Sequence, residues 1–303
     1  MKNKKIDEKF GFGLLPSKPD KRDFSLGGVF GQADISIVPN EDFTVSTPLK
    51  IKDQGRSDMC TAYSLSAISE DQELIQLDEN FTFAKIKEER GEYKQWGGDL
   101  RSGCKVATKV GFIAKDESPL YQETVGRDFV ANWKNWEKFP ELIDKAQRHK
   151  KFSYFKVDGR YDIFDNMRLA LWEGRNEKQS IYTGANWQSG WTYAKGGVIP
   201  KTITDKGAGH AFKVFGQKMI NREPYLMVQN SFGTEVGDGG IYYFPRVIVN
   251  HYFTFGSYQF KDMPPEQAKE LNDKVVPIEL NGQNTVSISV WERLLNWLLA
   301  EMK

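Results

Sequence analysis

Gln54 and Cys60 stand six positions apart in the run Gln54-Gly55-Arg56-Ser57-Asp58-Met59-Cys60, and the chain later supplies Gly209-His210-Ala211 and Asn230-Ser231-Phe232-Gly233. A cysteine reacts fast only as its thiolate, so it needs a basic neighbour, usually histidine, and a third group that holds the imidazole. The 303-residue chain has only two cysteines and three histidines. One of each inside such islands points to a thiol nucleophile and its base.

The surrounding pattern says which elements carry these residues. Ala62, Leu65, Ala67, Ile68, Leu74, Ile75 and Leu77 follow Cys60 at helical spacing, which puts the thiol at a helix N-terminus, where the helix dipole favours a thiolate. Further helices are expected from Arg101 to Val110, stopped by Gly111, and from Asp162 to Trp172. Beyond residue 178 the periodicity shortens, and strands are expected at Ile181 to Ala185, Ala211 to Phe215, Tyr225 to Gln229, Ile241 to Phe244 and His251 to Phe255. A helical half followed by a strand-rich half predicts an α+β protein of two lobes, helical at about 55–150 and β at about 151–258. A site that takes its cysteine from one lobe and its histidine from the other lies in the cleft between them.

Composition narrows the class. Lys plus Arg is 42 against 41 for Asp plus Glu, so the charge balance gives no reason to expect nucleic acid or an anionic membrane surface as partner. Two cysteines are too few for a disulfide framework, which favours a reducing compartment. No secretory signal and no apolar run of membrane-spanning length is visible, so a cytoplasmic or virion-associated protein without a transmembrane segment is expected. Residues 1–47, punctuated by prolines, read as an extended arm that includes a short apolar patch, Phe10 to Leu15. A linker is expected at 261–285. An amphipathic helix follows at 286–303, with Trp291, Leu294, Leu295, Trp297, Leu298 and Met302 on one side; it packs on its own domain or docks a protein partner.

The islands resemble the active-site motifs of the papain-like cysteine peptidases. Gln54-Gly55-Arg56-Ser57-Asp58-Met59-Cys60-Thr61-Ala62-Tyr63-Ser64 is similar to the family's Q-G-x-C-G-S-C-W-A-F-S, and His210-Ala211 with the apolar run to Gly216 is similar to its histidine island. Asn230-Ser231-Phe232-Gly233-Thr234 matches N-S-W-G-T, and two weaker islands, Gly97-Gly98 and Gly196-Gly197-Val198-Ile199, fall in the family's order. His210 follows Cys60 by 150 residues and Asn230 by 170, at or somewhat beyond the expected separation, and the likeness spans about residues 48–258.

The resemblance implies a cysteine endopeptidase with Cys60 as nucleophile, His210 as base, Asn230 as the orienting group and Gln54 as an oxyanion donor, acting on peptides or proteins without cofactor or metal. It also implies that Gly97, Gly98, Gly209 and Phe232 border the substrate. Asp58 and Asp99 add carboxylates near the cleft, from which tolerance of Lys or Arg in the substrate is expected. The chain departs from the pattern in several places. Ser57 replaces a half-cystine, Asp58 a glycine, Thr61 an aromatic and Phe232 a tryptophan, so a papain-fold binding or structural module with weak or lost catalysis stands as the alternative. A related acyl transferase or deamidase is a third reading. The family's long inhibitory pro-segment is not matched, and the arm is expected to pack on the β lobe rather than across the cleft. Cys104 reads as core, His149 as a solvated surface residue and His251 as structural.

Overall fold

The computed structural model describes residues 9–18, 34–121, 126–159, 161–204 and 207–261. The expected linker and C-terminal helix, and the first residues of the arm, lie outside the described residues. The helices in chain order are α1 (Cys60–Glu73), α2 (Glu79–Arg90), α3 (Leu100–Lys109), α4 (Arg127–Ala131), α5 (Glu141–Gln147), α6 (Ile163–Gly174) and α7 (Arg246–Tyr252). The strands are β1 (Phe43–Thr44), β2 (Ser153–Lys156), β3 (Ile181–Trp187), β4 (Ala208–Ile220), β5 (Glu223–Gln229), β6 (Ile241–Pro245) and β7 (Ser257–Lys261). This is an α+β fold.

Local chemistry sets the helix boundaries. α1 starts at Cys60 with no side-chain cap and stops when Leu74 turns left-handed, short of the expected Leu77. α2 starts where the Asp78 carboxylate accepts from the Asn80 and Phe81 N–H groups, and it ends at left-handed Gly91. Asp99 caps α3 and Asp162 caps α6 in the same way.

All strand pairs are antiparallel, in the order β2-β7-β3-β4-β5-β6, with β1 added to β4. The expected strand at His251 to Phe255 is not formed: Arg246–Tyr252 is helical, and the last strand comes later, at Ser257–Lys261. Pro245 ends the preceding strand, and the buried residues Ile248, Val249 and Tyr252 then repeat at helical spacing. His251 stays exposed on that helix.

Two large cores flank the site. One gathers Trp187, Phe212, Phe232, Tyr242 and Phe244 within the β lobe. The other joins α1 and α3 to the sheet through Leu65, Ile68, Cys104, Tyr182 and Ala211. Cys104 is thus a core residue, as expected. Buried ion pairs cross between elements: Lys213 on β4 meets Asp71 on α1, and Lys52 meets both Glu70 and Glu79. His149 is paired, its Nδ1 lying 2.6 Å from a Glu73 carboxylate oxygen, so it is less solvated than expected.

Candidate active site

Strand β4 carries His210 and the turn after β5 carries Asn230, and the sheet sets these two side by side. His210 Nε2 lies 2.7 Å from Asn230 Oδ1. The same oxygen accepts from the Ser231 N–H at 2.7 Å, which fixes the amide orientation. An amide oxygen only accepts, so Nε2 carries the proton and Nδ1 presents its lone pair. Nδ1 is buried and has no hydrogen-bond partner among the described residues. Phe232 stacks on the imidazole at 4.5 Å and Trp187 meets it edge-on at 5.4 Å, which together exclude water from the His210–Asn230 pair.

The loop that carries Cys60 is tied to that turn. Gln54 N donates to Ser231 O at 2.9 Å, Gly233 N to Lys52 O at 2.9 Å, and Ser231 Oγ to Gln54 Oε1 at 2.6 Å. The last bond fixes the Gln54 amide so that Nε2 is its donor end. Cys60 follows at the first position of α1, where its backbone N–H has no intrahelical acceptor. The Gln54 amide N–H and the Cys60 backbone N–H are thus two donors carried on one loop.

A family model described as papain family cysteine protease matches residues 42–254. The chain belongs to the papain family of cysteine proteases. Xylellain, a cysteine protease from Xylella fastidiosa, is similar in fold at a TM-score of 0.66 and 20% identity, over 84% of this chain and 97% of that one. Procathepsin B S9 from Trypanosoma congolense gives a TM-score of 0.56 at 15% identity over 84% and 86%. Digestive procathepsin L 3 of Tenebrio molitor larval midgut gives 0.53 at 13% over 84% and 76%. No curated protein matches in sequence. As a papain-family member the protein is a peptidase.

The papain-family cleft is occupied by the chain's own arm. Gly11 N donates to Gly55 O at 2.8 Å, Leu14 N to Gly209 O at 2.9 Å, Gly98 N to Gly13 O at 2.8 Å and Leu15 N to Gly98 O at 2.8 Å. Gln54 Nε2 donates to Gly11 O at 3.1 Å and to Ser57 O at 2.8 Å. The expectation that the arm packs on the β lobe holds for Phe43–Thr44, which pairs with β4, but not for residues 10–15, which run between the two walls of the cleft; residues 19–33 lie outside the described residues. Phe10 and Phe12 also touch the β-lobe aromatics, with ring centroids 4.6 and 5.6 Å from Phe232. The arm can come this close because two of its residues have no side chain. A Cβ on Gly11 would lie 1.8 Å from Ser57 O, and one on Gly13 2.2 Å from Asp58 O.

Cys60 and His210 are fully buried beneath this segment. Burial pushes the Cys60 thiol up to about 12, against backbone N–H groups of Ala211, Gly13 and Thr61 that favour the thiolate, while the Asp58 charge adds to the rise. Burial likewise pushes His210 down to about 4, opposed by its bond to Asn230. In this covered state burial favours the neutral thiol of Cys60 and the neutral imidazole of His210.

The remaining candidates divide. Gly97, Gly98 and Gly209 line the arm directly, and added Cβ atoms on Gly97 and Gly209 would lie 2.0 and 2.1 Å from arm carbonyl oxygens. Thr61 sits under Gly98, whose Cβ would come 2.8 Å from the Thr61 hydroxyl. Asp58 is fully buried and paired with Arg127, and Asp99 caps α3 and pairs with Arg90. Both carboxylates are spent inside the protein, so the structure offers neither to a basic substrate side chain. Sequence reasoning missed Trp96, Arg127 and the arm glycines. The alternation of glycine with large apolar residues in Phe10-Gly11-Phe12-Gly13-Leu14 was the available signal, since glycine in an extended run marks close backbone approach.

Among the described residues no group of three or more His, Cys, Asp or Glu is placed to hold a metal, and no helix is long and apolar enough to cross a membrane.

Proposed function

We propose that this papain-family member is a latent cysteine endopeptidase, with catalysis by Cys60, His210, Asn230 and Gln54 and a cleft closed by residues 10–15. The observation that carries the reading is the buried, unpartnered Nδ1 of His210, set by the Nε2 bond to Asn230.

Once the cleft is open, Nδ1 takes the Cys60 proton and the thiolate attacks a substrate carbonyl carbon. The oxyanion accepts from Gln54 Nε2 and the Cys60 N–H. The C–N bond then breaks as His210 protonates the leaving amine, and a thioester remains on Cys60. A water molecule that gives its proton to His210 hydrolyses the thioester to a carboxylic acid and free thiol. Asn230 holds one ring orientation throughout.

The arm is not itself a substrate in this pose. The Gly13 N–H, not a carbonyl carbon, is the arm group that acts on the Cys60 thiol, favouring its thiolate. The arm's bridge to Gly98, at Leu14, is parallel.

Incubation with a thiol-directed epoxide under reducing conditions tests the reading. Labelling should fall on Cys60, rise when the arm is displaced, and disappear in His210→Ala. Persistent labelling in His210→Ala counts against it, and absence of cleavage by an opened variant favours a non-catalytic binding module.

A further inference from the structure

Asp58, which stands where the family has a glycine, has no part in the chemistry above, yet it is fully buried beside the nucleophile. Its carboxylate accepts from the Gly97 N–H and from Arg127, at 3.3 Å from Nε and 3.2 Å from Nη2. Arg127 Nη2 also donates to Gln95 O at 2.8 Å, and Lys87 Nζ donates to Gln95 O at 2.5 Å and to Gly97 O at 2.6 Å. Side chains thus grip the tripeptide Gln95-Trp96-Gly97 at three backbone atoms.

The residue between those grips is Trp96, a large aromatic left 52% exposed. The Arg127 guanidinium lies over its ring, 5.4 Å from the centroid, and orients the indole. The indole N–H donates to Phe12 O at 2.6 Å. In a trans peptide the C=O and the following N–H point in opposite directions. The Gly13 N–H of this peptide group favours the Cys60 thiolate, so the indole grips the carbonyl end of a peptide group next to the thiol.

We propose that Trp96 is a main-chain-binding residue of the cleft, clamping over Cys60 whichever peptide lies there, and that Asp58 and Arg127 are positioning residues acting through it. The inference rests on the peptidase reading. Its ligand is a backbone carbonyl, which every peptide has, so the clamp is indifferent to substrate sequence. The arm uses it now, and a substrate takes the same donor when the arm leaves.

The test uses the full chain carrying Gly13→Ala, which displaces the arm, together with Cys60→Ala to prevent turnover. The probe is the synthetic octapeptide of residues 9–16, Lys-Phe-Gly-Phe-Gly-Leu-Leu-Pro, and the same peptide with an ester in place of the Phe12–Gly13 amide. An ester carbonyl is a poorer acceptor. Trp96→Phe should weaken the amide peptide about five- to tenfold, the worth of one hydrogen bond. The amide-to-ester penalty should be larger with Trp96 present than in Trp96→Phe, a coupling that a merely structural role does not create.

In the Gly13→Ala chain with Cys60 intact, Trp96→Phe should raise KM for peptides by a similar factor and leave kcat within about twofold, the signature of uniform binding. Arg127→Gln should raise KM alone but add nothing on top of Trp96→Phe. Equal ester penalties in both backgrounds, or no measurable peptide binding, overturn the proposal. Coupling without any hydrolysis overturns the peptidase reading and leaves the clamp standing. Hydrolysis without coupling does the reverse.

Discussion

Adding a single methyl group to the arm, Gly13→Ala, should switch on Cys60. The new Cβ would lie 2.2 Å from Asp58 O and 2.8 Å from the Asp58 carbonyl carbon, both backbone atoms of the loop that carries the nucleophile. Ordinary C···O contact is about 3.3 Å, so the arm must move by roughly 1 Å. That shift breaks the bonds flanking residue 13, from Gly98 N to Gly13 O and from Leu14 N to Gly209 O, and strains the one from Trp96 Nε1 to Phe12 O. At about 1 kcal/mol each, two to three lost bonds favour the open arm by about 2–3 kcal/mol, or roughly 30- to 150-fold in open population.

The assay is the rate at which mass spectrometry shows epoxide adding to Cys60 in the full chain. Gly190→Ala is the control, because a Cβ there meets nothing within 4 Å. Labelling should accelerate about 30- to 150-fold in Gly13→Ala and not at all in Gly190→Ala. Equal rates in wild type and Gly13→Ala would refute the reasoning, since the closed arm would then not control access to the thiol.

Other consequences can be measured separately. Because burial holds His210 near 4 against an ordinary 6.5, its neutral form contributes to closure fully above 6.5 and loses that contribution as pH falls toward 4. In the closed state Cys60 stays neutral across that window. Acidification should therefore open the arm, read as faster hydrogen exchange at the Leu14 and Leu15 amides after correction for intrinsic rates, and His210→Gln should flatten the dependence. Gln54→Ala in the Gly13→Ala chain should lower kcat about 10²- to 10³-fold with little change in KM; an unchanged kcat would remove it from the oxyanion site. Asp71→Ala strips the buried Lys213 of its partner and should cost about 3–5 kcal/mol in urea unfolding, whereas Asp71→Leu with Lys213→Met should recover most of that.

What could be read from the sequence follows from how the chemistry is encoded. Cys60 and Gln54 are legible because both lie on one loop, so their spacing is short and fixed. His210 and Asn230 are legible because the strand and turn that carry them bring their own glycine and aromatic neighbours. Asp58 was visible as a departure but not as a clamp, since its partner Arg127 is 69 residues away and only the fold joins them. The cleft-crossing arm was hidden for the same reason. Helix α2 escaped notice because Phe81 and Phe83 alternate like strand residues, and because the helix buries Lys87 along with its apolar side chains. At His251 the aromatic run suggested a strand, but Pro245 and the spacing of Ile248, Val249 and Tyr252 set a helix instead.

The most direct test is hydrolysis of a peptide library by the full chain carrying Gly13→Ala, with and without Cys60→Ala. Cleavage should exceed wild type and disappear with Cys60→Ala. Cleavage that survives Cys60→Ala, or none from a Gly13→Ala chain whose Cys60 labels rapidly, would contradict the latent-peptidase reading.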